Sequence, residues 1–395
     1  MIYKDNFDII RVYDEEAFAR NVRRAAGATH ARLGATIKSN AYGFGAERAA
    51  GVLVREGVRD FFVQTLAEAE VVLPSLASVK GANLFTFSGV MEGQEERYIE
   101  SGIVPVCVSL SQLASYNSAA AGRSRKPRVG VHFDTGMNRT GLSVQDAREL
   151  ASDIEKLAGN LEIVLYISHL HGPFSYGKYC KSQLENFTSM VAPLPKAEMS
   201  LAASSGLLRL GAEYHFDIVR PGYALYGFAS GMEQIVDVYA RILQVREVVK
   251  GETIGYSDEY VARRKMKVAV LCLGYADGYS RGLSKTNGLF NFIRAKLHAG
   301  GGYTRAYADI GGRKCPLVGI VSMNNIIVDV SDVPGDILER AKYAQVMGKL
   351  APCADFRNSL GYTAAENFVN LLRPNAAALD LTWAEFEKIR RQLQL

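Results

Sequence analysis

Polar residues stand at the ends of several short apolar runs in the first two thirds of the chain, and one of them is a lysine. Lys38 closes the run GATIK (34–38), and SNAYGFG follows it. Burial lowers the pKa of a lysine, and the neutral amine can then form a Schiff base with a carbonyl compound. The plain structural alternative for Lys38 is a residue at the rim of a barrel with its ammonium group in water.

Other runs carry polar or small residues at or near their ends: Asp134, His169, Ser204, and Arg220 with Gly222. Small side chains and backbone amides that follow the late strands of a barrel can cradle a phosphate. The segments Ser204–Gly206 and Arg220–Gly222 supply both. A Schiff-base lysine and a phosphate cup in one barrel together indicate pyridoxal 5′-phosphate as the cofactor.

These residues must be positioned by the elements that end in them. Short, fully apolar strands that alternate with helical stretches indicate a parallel sheet buried on both faces. Eight such units predict an α/β fold, a (β/α)8 TIM-like barrel with its chemistry at the carboxyl ends of the strands; an open doubly wound sheet is the alternative. The predicted strands span 34–38, 60–65, 82–87, 104–109, 128–134, 163–170, 197–204 and 217–227.

Two of the helical stretches show the spacing of an amphipathic helix. The stretch AERAAGVLVREG (46–57) places Ala50, Val54 and Gly57 near one face. A second stretch begins at Ser143, a residue type that suits a helix N-cap.

The remainder of the chain changes character and predicts a mainly β domain. We therefore expect one domain over 1–234, the cofactor-binding barrel, and a second over 235–395. Helical periodicity returns near 357–372 and 382–395. The strand candidates are YARILQVREVV, MKVAVLCLGYAD, FNFIRAKLHA, TRAYADIGG and NNIIVDVSDV.

Composition excludes several classes of protein. The 395 residues are 48% hydrophobic and 22% charged, as in globular proteins, and the net charge of +5 without a basic block speaks against nucleic-acid binding. Neither a signal peptide nor a long apolar run is found, so we expect a cytoplasmic protein without a membrane segment. Five widely spaced cysteines without a CxxC motif predict reduced thiols, and His169 with His171 is the one close histidine pair, so no metal site is expected.

Nine stretches, in the same order along the chain, resemble alanine racemase, a family of fold-type III pyridoxal-phosphate enzymes. The resemblance covers nearly the whole chain. The stretches are TIKSNAYGFG (36–45), HFDTGMNRTGL (132–142), ISHL (167–170), AASSG (202–206), VRPGYALYG (219–227), GYSDEY (255–260), LGYADGYSR (273–281), VSMN (321–324) and LGYTAAE (360–366).

The resemblance implies the catalytic and substrate-binding residues. Lys38 holds the cofactor and is the base that acts on the D-enantiomer, and Tyr256 acts on the L-enantiomer from the opposite face. Arg139 matches a contact to the substrate carboxylate, and Met323 matches a second one through its backbone N–H. The resemblance also implies a head-to-tail homodimer in which each chain gives its tyrosine to the barrel of the other.

The remaining roles implied by the resemblance concern the cofactor. Arg220 faces its pyridine nitrogen, and His169 is bonded to that arginine. Residues around the phosphate are Tyr42, Ser204, Gly222, Tyr223 through its backbone amide, and Tyr362. Positions behind the active site are matched by Tyr275 and Arg281.

The chain departs from the family pattern at several positions. His132 stands where the family often has a lysine whose carbamate steadies the arginine matched by Arg139, and histidine forms no stable carbamate of that kind. Asn324 replaces an aspartate, Asp258 makes the entrance motif more acidic, and Thr363 replaces a glutamate.

Arg220 separates the candidate functions. Decarboxylases of basic amino acids carry a glutamate in place of the arginine of Arg220–Gly222, and an arginine cannot accept the proton that a carboxylate would share with the pyridine nitrogen. The resulting weaker electron sink favours racemisation. The resemblance to the family implies that this racemisation supplies D-alanine for peptidoglycan. A racemase of broader specificity, for serine among others, is the nearest alternative, and a non-catalytic single-barrel carrier of the cofactor is opposed by the second domain.

Overall fold

The computed structural model describes residues 7–172, 177–279, 306–348, 372 and 378–390. The chain divides into two compact units, one of residues 19–225 and one that combines residues 1–18 with residues 226–395. The predicted division into 1–234 and 235–395 stays a prediction.

The unit of residues 19–225 is a barrel of eight parallel strands. The strands follow one another around the sheet in chain order, the last pairs with the first, and an isolated bridge between Ala203 and Arg220 joins the ends of the seventh and eighth strands. The prediction of a (β/α)8 barrel is confirmed, and the doubly wound alternative is wrong. The strands are β2 (Arg32–Thr36), β3 (Asp60–Val63), β4 (Asn83–Thr86), β5 (Val104–Cys107), β6 (Arg128–His132), β7 (Glu162–Ile167), β8 (Glu198–Ser200) and β9 (Ile218–Val219); β1 (Ile9–Tyr13) belongs to the other unit.

Helices connect the strands of the barrel. Ser143 caps its helix as predicted, because its hydroxyl accepts the N–H of Asp146 while the Asp146 carboxylate accepts the N–H of Ser143. The helices are α1 (Glu15–Ala26), α2 (Lys38–Tyr42), α3 (Ala46–Arg55), α4 (Leu66–Leu76), α5 (Glu95–Ser101), α6 (Leu110–Ala119), α7 (Val144–Ser152), α8 (Ile154–Ala158), α9 (Gly177–Val191) and α10 (Ser204–Arg209).

Large side chains fill the barrel where small residues face them. Phe62 stacks on Phe85 with ring centroids 4.8 Å apart. Gly34 makes room for this pair, since a Cβ there would lie 2.8 Å from the Phe62 ring. A packed interior leaves the carboxyl rim as the place for chemistry.

The second unit is mainly β, as predicted. β1 lies in its sheet between β10 and β16, antiparallel to the first and parallel to the second. Predicted elements at 290–299 and 357–371 lie outside the described residues. The elements are β10 (Val236–Val248), β11 (Met266–Leu271), β12 (Tyr307–Ile310), β13 (Arg313–Pro316), β14 (Ile326–Asp329), α11 (Gly335–Arg340), β15 (Tyr343–Met347), β16 (Ala378–Thr382) and α12 (Trp383–Ile389).

The part of the chain that the structure describes contains no helix of the length and apolar character needed to cross a membrane. Its four cysteines, Cys107, Cys180, Cys272 and Cys315, are free thiols.

Candidate active site

The turn that follows β2 is left-handed. The four residues from Ser39 to Tyr42 have φ between 53° and 57°, a region that costs a non-glycine residue about 1–2 kcal/mol. Two side-chain contacts hold the turn: the Glu68 carboxylate accepts the N–H of Ser39, and the Asn40 side chain accepts the N–H of Ala46. Both ends of α2, Lys38 and Tyr42, line one cavity.

This cavity of about 470 Å³ lies at the carboxyl ends of the barrel strands, and its described lining residues all belong to the barrel unit. It brings together nine of the residues named from the sequence: Lys38, Tyr42, His132, Arg139, His169, Ser204, Arg220, Gly222 and Tyr223. Ser205, from the predicted phosphate-cradling segment, lines it as well, and so do residues that were not predicted, among them Thr36, Gln64, Phe87 and Gln112.

Lys38 is held in a form that favours the neutral amine. Burial lowers the pKa of its ammonium group, and the charge of Arg139 lowers it further, while Glu68 acts in the opposite direction. Its Nζ lies 5.9 Å from the centroid of the Phe87 ring. The residue is therefore suited to attack a carbonyl carbon.

Arg220 is a buried cation, only 2% exposed, without a carboxylate partner among the described residues. Its guanidinium donates to the carbonyl oxygen of Ser168 at 2.8 Å and to the hydroxyl of Ser200. The implied bond to His169 is not among its contacts with the described residues. Burial lowers the pKa of Arg220 to about 9, so it stays charged at neutral pH.

Two histidines beside Arg220 are neutral at pH 7. Burial, and after it the charges of Arg220 and Arg139, lower the pKa of His132 to about 4 and that of His169 to about 3. Arg139 itself makes no hydrogen bond or ion pair with any residue that the structure describes. Its guanidinium is thus available to an anionic ligand.

Hydroxyl groups and backbone amides form a cup after β8 and β9. The Ser204 hydroxyl oxygen accepts the N–H of Gly222 at 2.9 Å and that of Ala224 at 3.2 Å, which leaves its own O–H to donate. A Cβ at Gly222 would lie 2.4 Å from the Tyr42 hydroxyl, so only glycine fits there. This donor set suits a phosphate ester, and the residues present fit pyridoxal phosphate.

Tyr256 and Met323 lie in the other unit and are 65% and 55% exposed. Tyr256 is at the tip of a loop that an antiparallel bridge between Thr253 and Val261 closes. The Met323 carbonyl accepts the N–H of Ala276, and its own N–H has no acceptor among the described residues. Tyr275 lies next to this turn, and its N–H donates to the Ser322 carbonyl. Tyr362 and Arg281 lie outside the described residues.

Comparison with known proteins identifies the family. Residues 13–230 match the model of the alanine racemase N-terminal domain, and residues 235–374 match that of the alanine racemase C-terminal domain. The chain belongs to the alanine racemase family. This family assignment agrees with the cavity, which places a lysine, a buried arginine and a hydroxyl-lined cup in one barrel.

Relatives in the family align over most of the chain. A protein of Agrobacterium fabrum named "Alanine racemase, biosynthetic" is 36% identical over 359 residues, which are 89% of this chain and 88% of its own. An alanine racemase of Rhizobium meliloti is 35% identical over 350 residues, 87% of this chain and 89% of its own. The crystal structure of alanine racemase from Bartonella henselae with covalently bound pyridoxal phosphate is 28% identical, with a TM-score of 0.79 over 95% of this chain and 99% of that one.

Several further residues of the site were not named from the sequence. Ser168 lies inside ISHL, one of the stretches that carry the resemblance, so its place in a motif was the available signal. Glu68 and Ser200 lie outside those stretches, and nothing in their spacing separates them from ordinary polar residues.

Proposed function

We propose that this chain interconverts L-alanine and D-alanine with pyridoxal 5′-phosphate as cofactor, and so supplies D-alanine for peptidoglycan. One observation supports this more than any other: a lysine with a lowered pKa, a buried arginine and a hydroxyl-and-amide cup line the same barrel cavity. When bound, the cofactor supplies the electron withdrawal that acidifies the α-carbon of the substrate.

The cup residues bind the cofactor's phosphate. The O–H of Ser204, the buried phenol of Tyr42 and the backbone N–H of Tyr223 would donate to phosphate oxygens, while Gly222, whose own N–H is bonded to Ser204, lies beside them. Tyr362 completes this set by resemblance to the family. Lys38 holds the cofactor covalently through its Nζ.

Arg220 limits how far the cofactor withdraws electrons. Its guanidinium would hold the pyridine nitrogen by donating a hydrogen bond, and because an arginine keeps its own proton, that nitrogen would remain unprotonated. The bonds to Ser168 and Ser200 fix the guanidinium plane. His169, neutral beside it, packs near the ring.

Arg139 and the backbone N–H of Met323 bind the substrate carboxylate. Neither group has an acceptor among the described residues, so neither exchanges a protein contact for the substrate. His132 is neutral and buried behind Arg139, and with Tyr275 and Arg281 it supports these groups.

Two bases on opposite faces of the α-carbon move the proton. From L-alanine, the Tyr256 phenolate would take the α-proton. The Lys38 ammonium group, freed when the substrate amine replaces it on the cofactor, would return a proton to the other face. From D-alanine the two roles are exchanged.

The chain acts as a cytoplasmic homodimer with shared sites, built from a barrel domain of residues 1–234 and a second domain of residues 235–395. Tyr256 and Met323 are each more than half exposed and are absent from the described lining of the barrel cavity. Each chain therefore offers both groups to the barrel of the other.

A chiral assay of the purified holoenzyme tests the proposal. With either enantiomer of alanine we expect a racemic mixture and no release of carbon dioxide. Release of carbon dioxide, or no change of configuration in any amino acid of a panel that includes serine, lysine and ornithine, would refute it. Faster racemisation of serine than of alanine would instead indicate a racemase of broader specificity.

A further inference from the structure

A second pair of hydroxyls lies beside the phosphate cup. The side chains of Ser205 and Tyr223 are hydrogen-bonded to each other through their hydroxyl groups, and both residues line the cavity. Ser205 is only 8% exposed, so its hydroxyl has little access to water as another hydrogen-bond partner. The proposed function gives the side chain of Tyr223 no part, because it uses only the backbone amide of that residue.

This bond belongs to a set that fastens the segment after β9 to the segment after β8. Ser204 accepts N–H groups from Gly222 and Ala224, the residues on either side of Tyr223. Ser205 holds the phenol of Tyr223 itself. Two consecutive serines therefore fix three consecutive residues of the neighbouring segment.

The fastening acts beyond the backbone bridge that joins the two segments. This bridge, between Ala203 and Arg220, lies two residues before Gly222, and glycine has the greatest conformational freedom of any residue. The proposed phosphate donor, the N–H group of Tyr223, follows this glycine. Ser205 adds a third point of attachment, on the side chain of Tyr223, to the two hydrogen bonds through Ser204.

We propose that the Ser205–Tyr223 hydroxyl pair is a positioning latch that holds the backbone amide of Tyr223 in place for the phosphate ester of the cofactor. The latch rests on the proposed function, since it requires a phosphorylated cofactor in the cup. It sets how tightly the phosphate is held, and it does not touch the reacting carbon.

Binding of cofactor to the apoprotein by equilibrium dialysis measures the latch directly. Tyr223→Phe keeps the ring and removes the phenol, and Ser205→Ala removes the other hydroxyl. One hydrogen bond is worth a few-fold in affinity, so we expect the dissociation constant for pyridoxal phosphate to rise about 3- to 10-fold in each variant. The double variant should lose less affinity than the two single losses combined, because both changes remove the bond between Ser205 and Tyr223.

Pyridoxal, which lacks the phosphate, separates a latch from general damage to the cavity. Its dissociation constant should be unchanged in all three variants. Tyr214→Phe is the matched control: Tyr214 is buried in the same unit, 7% exposed, but does not line the cavity, and its variant should bind both compounds like the unchanged protein.

Unchanged binding of pyridoxal phosphate in Tyr223→Phe and Ser205→Ala would overturn the latch, and so would equal weakening of pyridoxal. Failure of the unchanged protein to bind pyridoxal phosphate at all would instead overturn the proposed function. The two failures are therefore distinguishable in one titration series.

Discussion

Arg220 shows how a single residue can select a reaction. Among the described residues, the buried Arg220 guanidinium donates hydrogen bonds only to neutral oxygens of Ser168 and Ser200, and such a cation is costly to desolvate. A ligand that offers a lone pair, such as a pyridine nitrogen, offsets part of that cost without taking the proton. The free-energy cost of burying Arg220 in the free protein would thus be partly offset when the proposed cofactor binds.

Replacing this arginine by glutamate should change the reaction. In Arg220→Glu the carboxyl group shares a proton with the pyridine nitrogen and strengthens the electron sink. We expect slower racemisation, a new long-wavelength absorption band and more transamination, measured by spectroscopy and by pyruvate formation from alanine.

Arg220→Lys is the control for this change because it retains a positive charge without a proton acceptor, and it should give no such band. If Arg220→Glu left both the spectrum and the ratio of racemisation to transamination unchanged, the role of the arginine would be structural only.

Lys38 should be the residue that carries the cofactor. Because its pKa is lowered, a larger share of it is neutral at pH 8 than of an exposed lysine, and the neutral share rises with pH through that lowered pKa. Borohydride reduction of the holoenzyme at pH 8 should attach the cofactor to the peptide that contains Lys38, as read by peptide mass mapping.

Lys38→Ala should fold like the unchanged protein and lose racemisation in both directions by several orders of magnitude. Circular dichroism checks the fold. Attachment of the cofactor to a different lysine would contradict the assignment.

His132 should make the enzyme indifferent to bicarbonate. The histidine is neutral above its pKa of about 4, and it stands where the family often has a carbamylated lysine beside the arginine matched by Arg139. We expect equal racemisation rates in buffers freed of carbon dioxide and in buffers with added bicarbonate.

His132→Lys restores the modifiable side chain and should become bicarbonate-dependent if it folds. Activation of the unchanged protein by bicarbonate would show that another lysine carries a carbamate.

At the scale of elements, the alternation of apolar runs predicted all eight barrel strands but not their limits. The runs predicted at 197–204 and 217–227 contain strands of only three and two residues, Glu198–Ser200 and Ile218–Val219. The face chosen for α3 was only partly right. Ala50 is buried, but Val54 is half-buried, and Gly57 lies beyond the end of the helix with φ at +85°. The helix instead buries Ala49 and Leu53.

Other elements left no local signal. β1 begins the chain as an apolar segment without a partner nearby, and its neighbours β10 and β16 lie more than 200 residues away. The left-handed turn from Ser39 to Tyr42 contains no glycine, so propensity predicts an ordinary helix or loop there. Tertiary contacts such as that from Glu68 to Ser39 decide it, and a sequence does not display them.

At the scale of the whole molecule, the barrel cavity holds one proposed base and the other proposed base is in the second unit. Only the resemblance of its motif to the family could single out Tyr256. The chain has 20 tyrosines, and the residues around Tyr256 show no other pattern that distinguishes it. The described lining of the cavity includes Lys38 and lacks Tyr256, which is 65% exposed. The proposed homodimer would bring the two bases together from two chains.

Mixing two inactive variants tests this assembly. Lys38→Ala lacks one base and Tyr256→Ala the other, and Tyr256→Ala should slow α-proton exchange from L-alanine far more than from D-alanine, because Lys38 remains. In a heterodimer of the two variants, one of the two sites joins an intact Lys38 to an intact Tyr256 if the site is shared between chains. Refolding an equal mixture makes half of the dimers heterodimers, each with one intact site of two. The mixture should therefore regain up to about a quarter of the activity per site, while each variant alone stays inactive. A site built within one chain would lack one base in every subunit, so a mixture shown by mass measurement to contain the heterodimer and yet inactive would rule out the shared site.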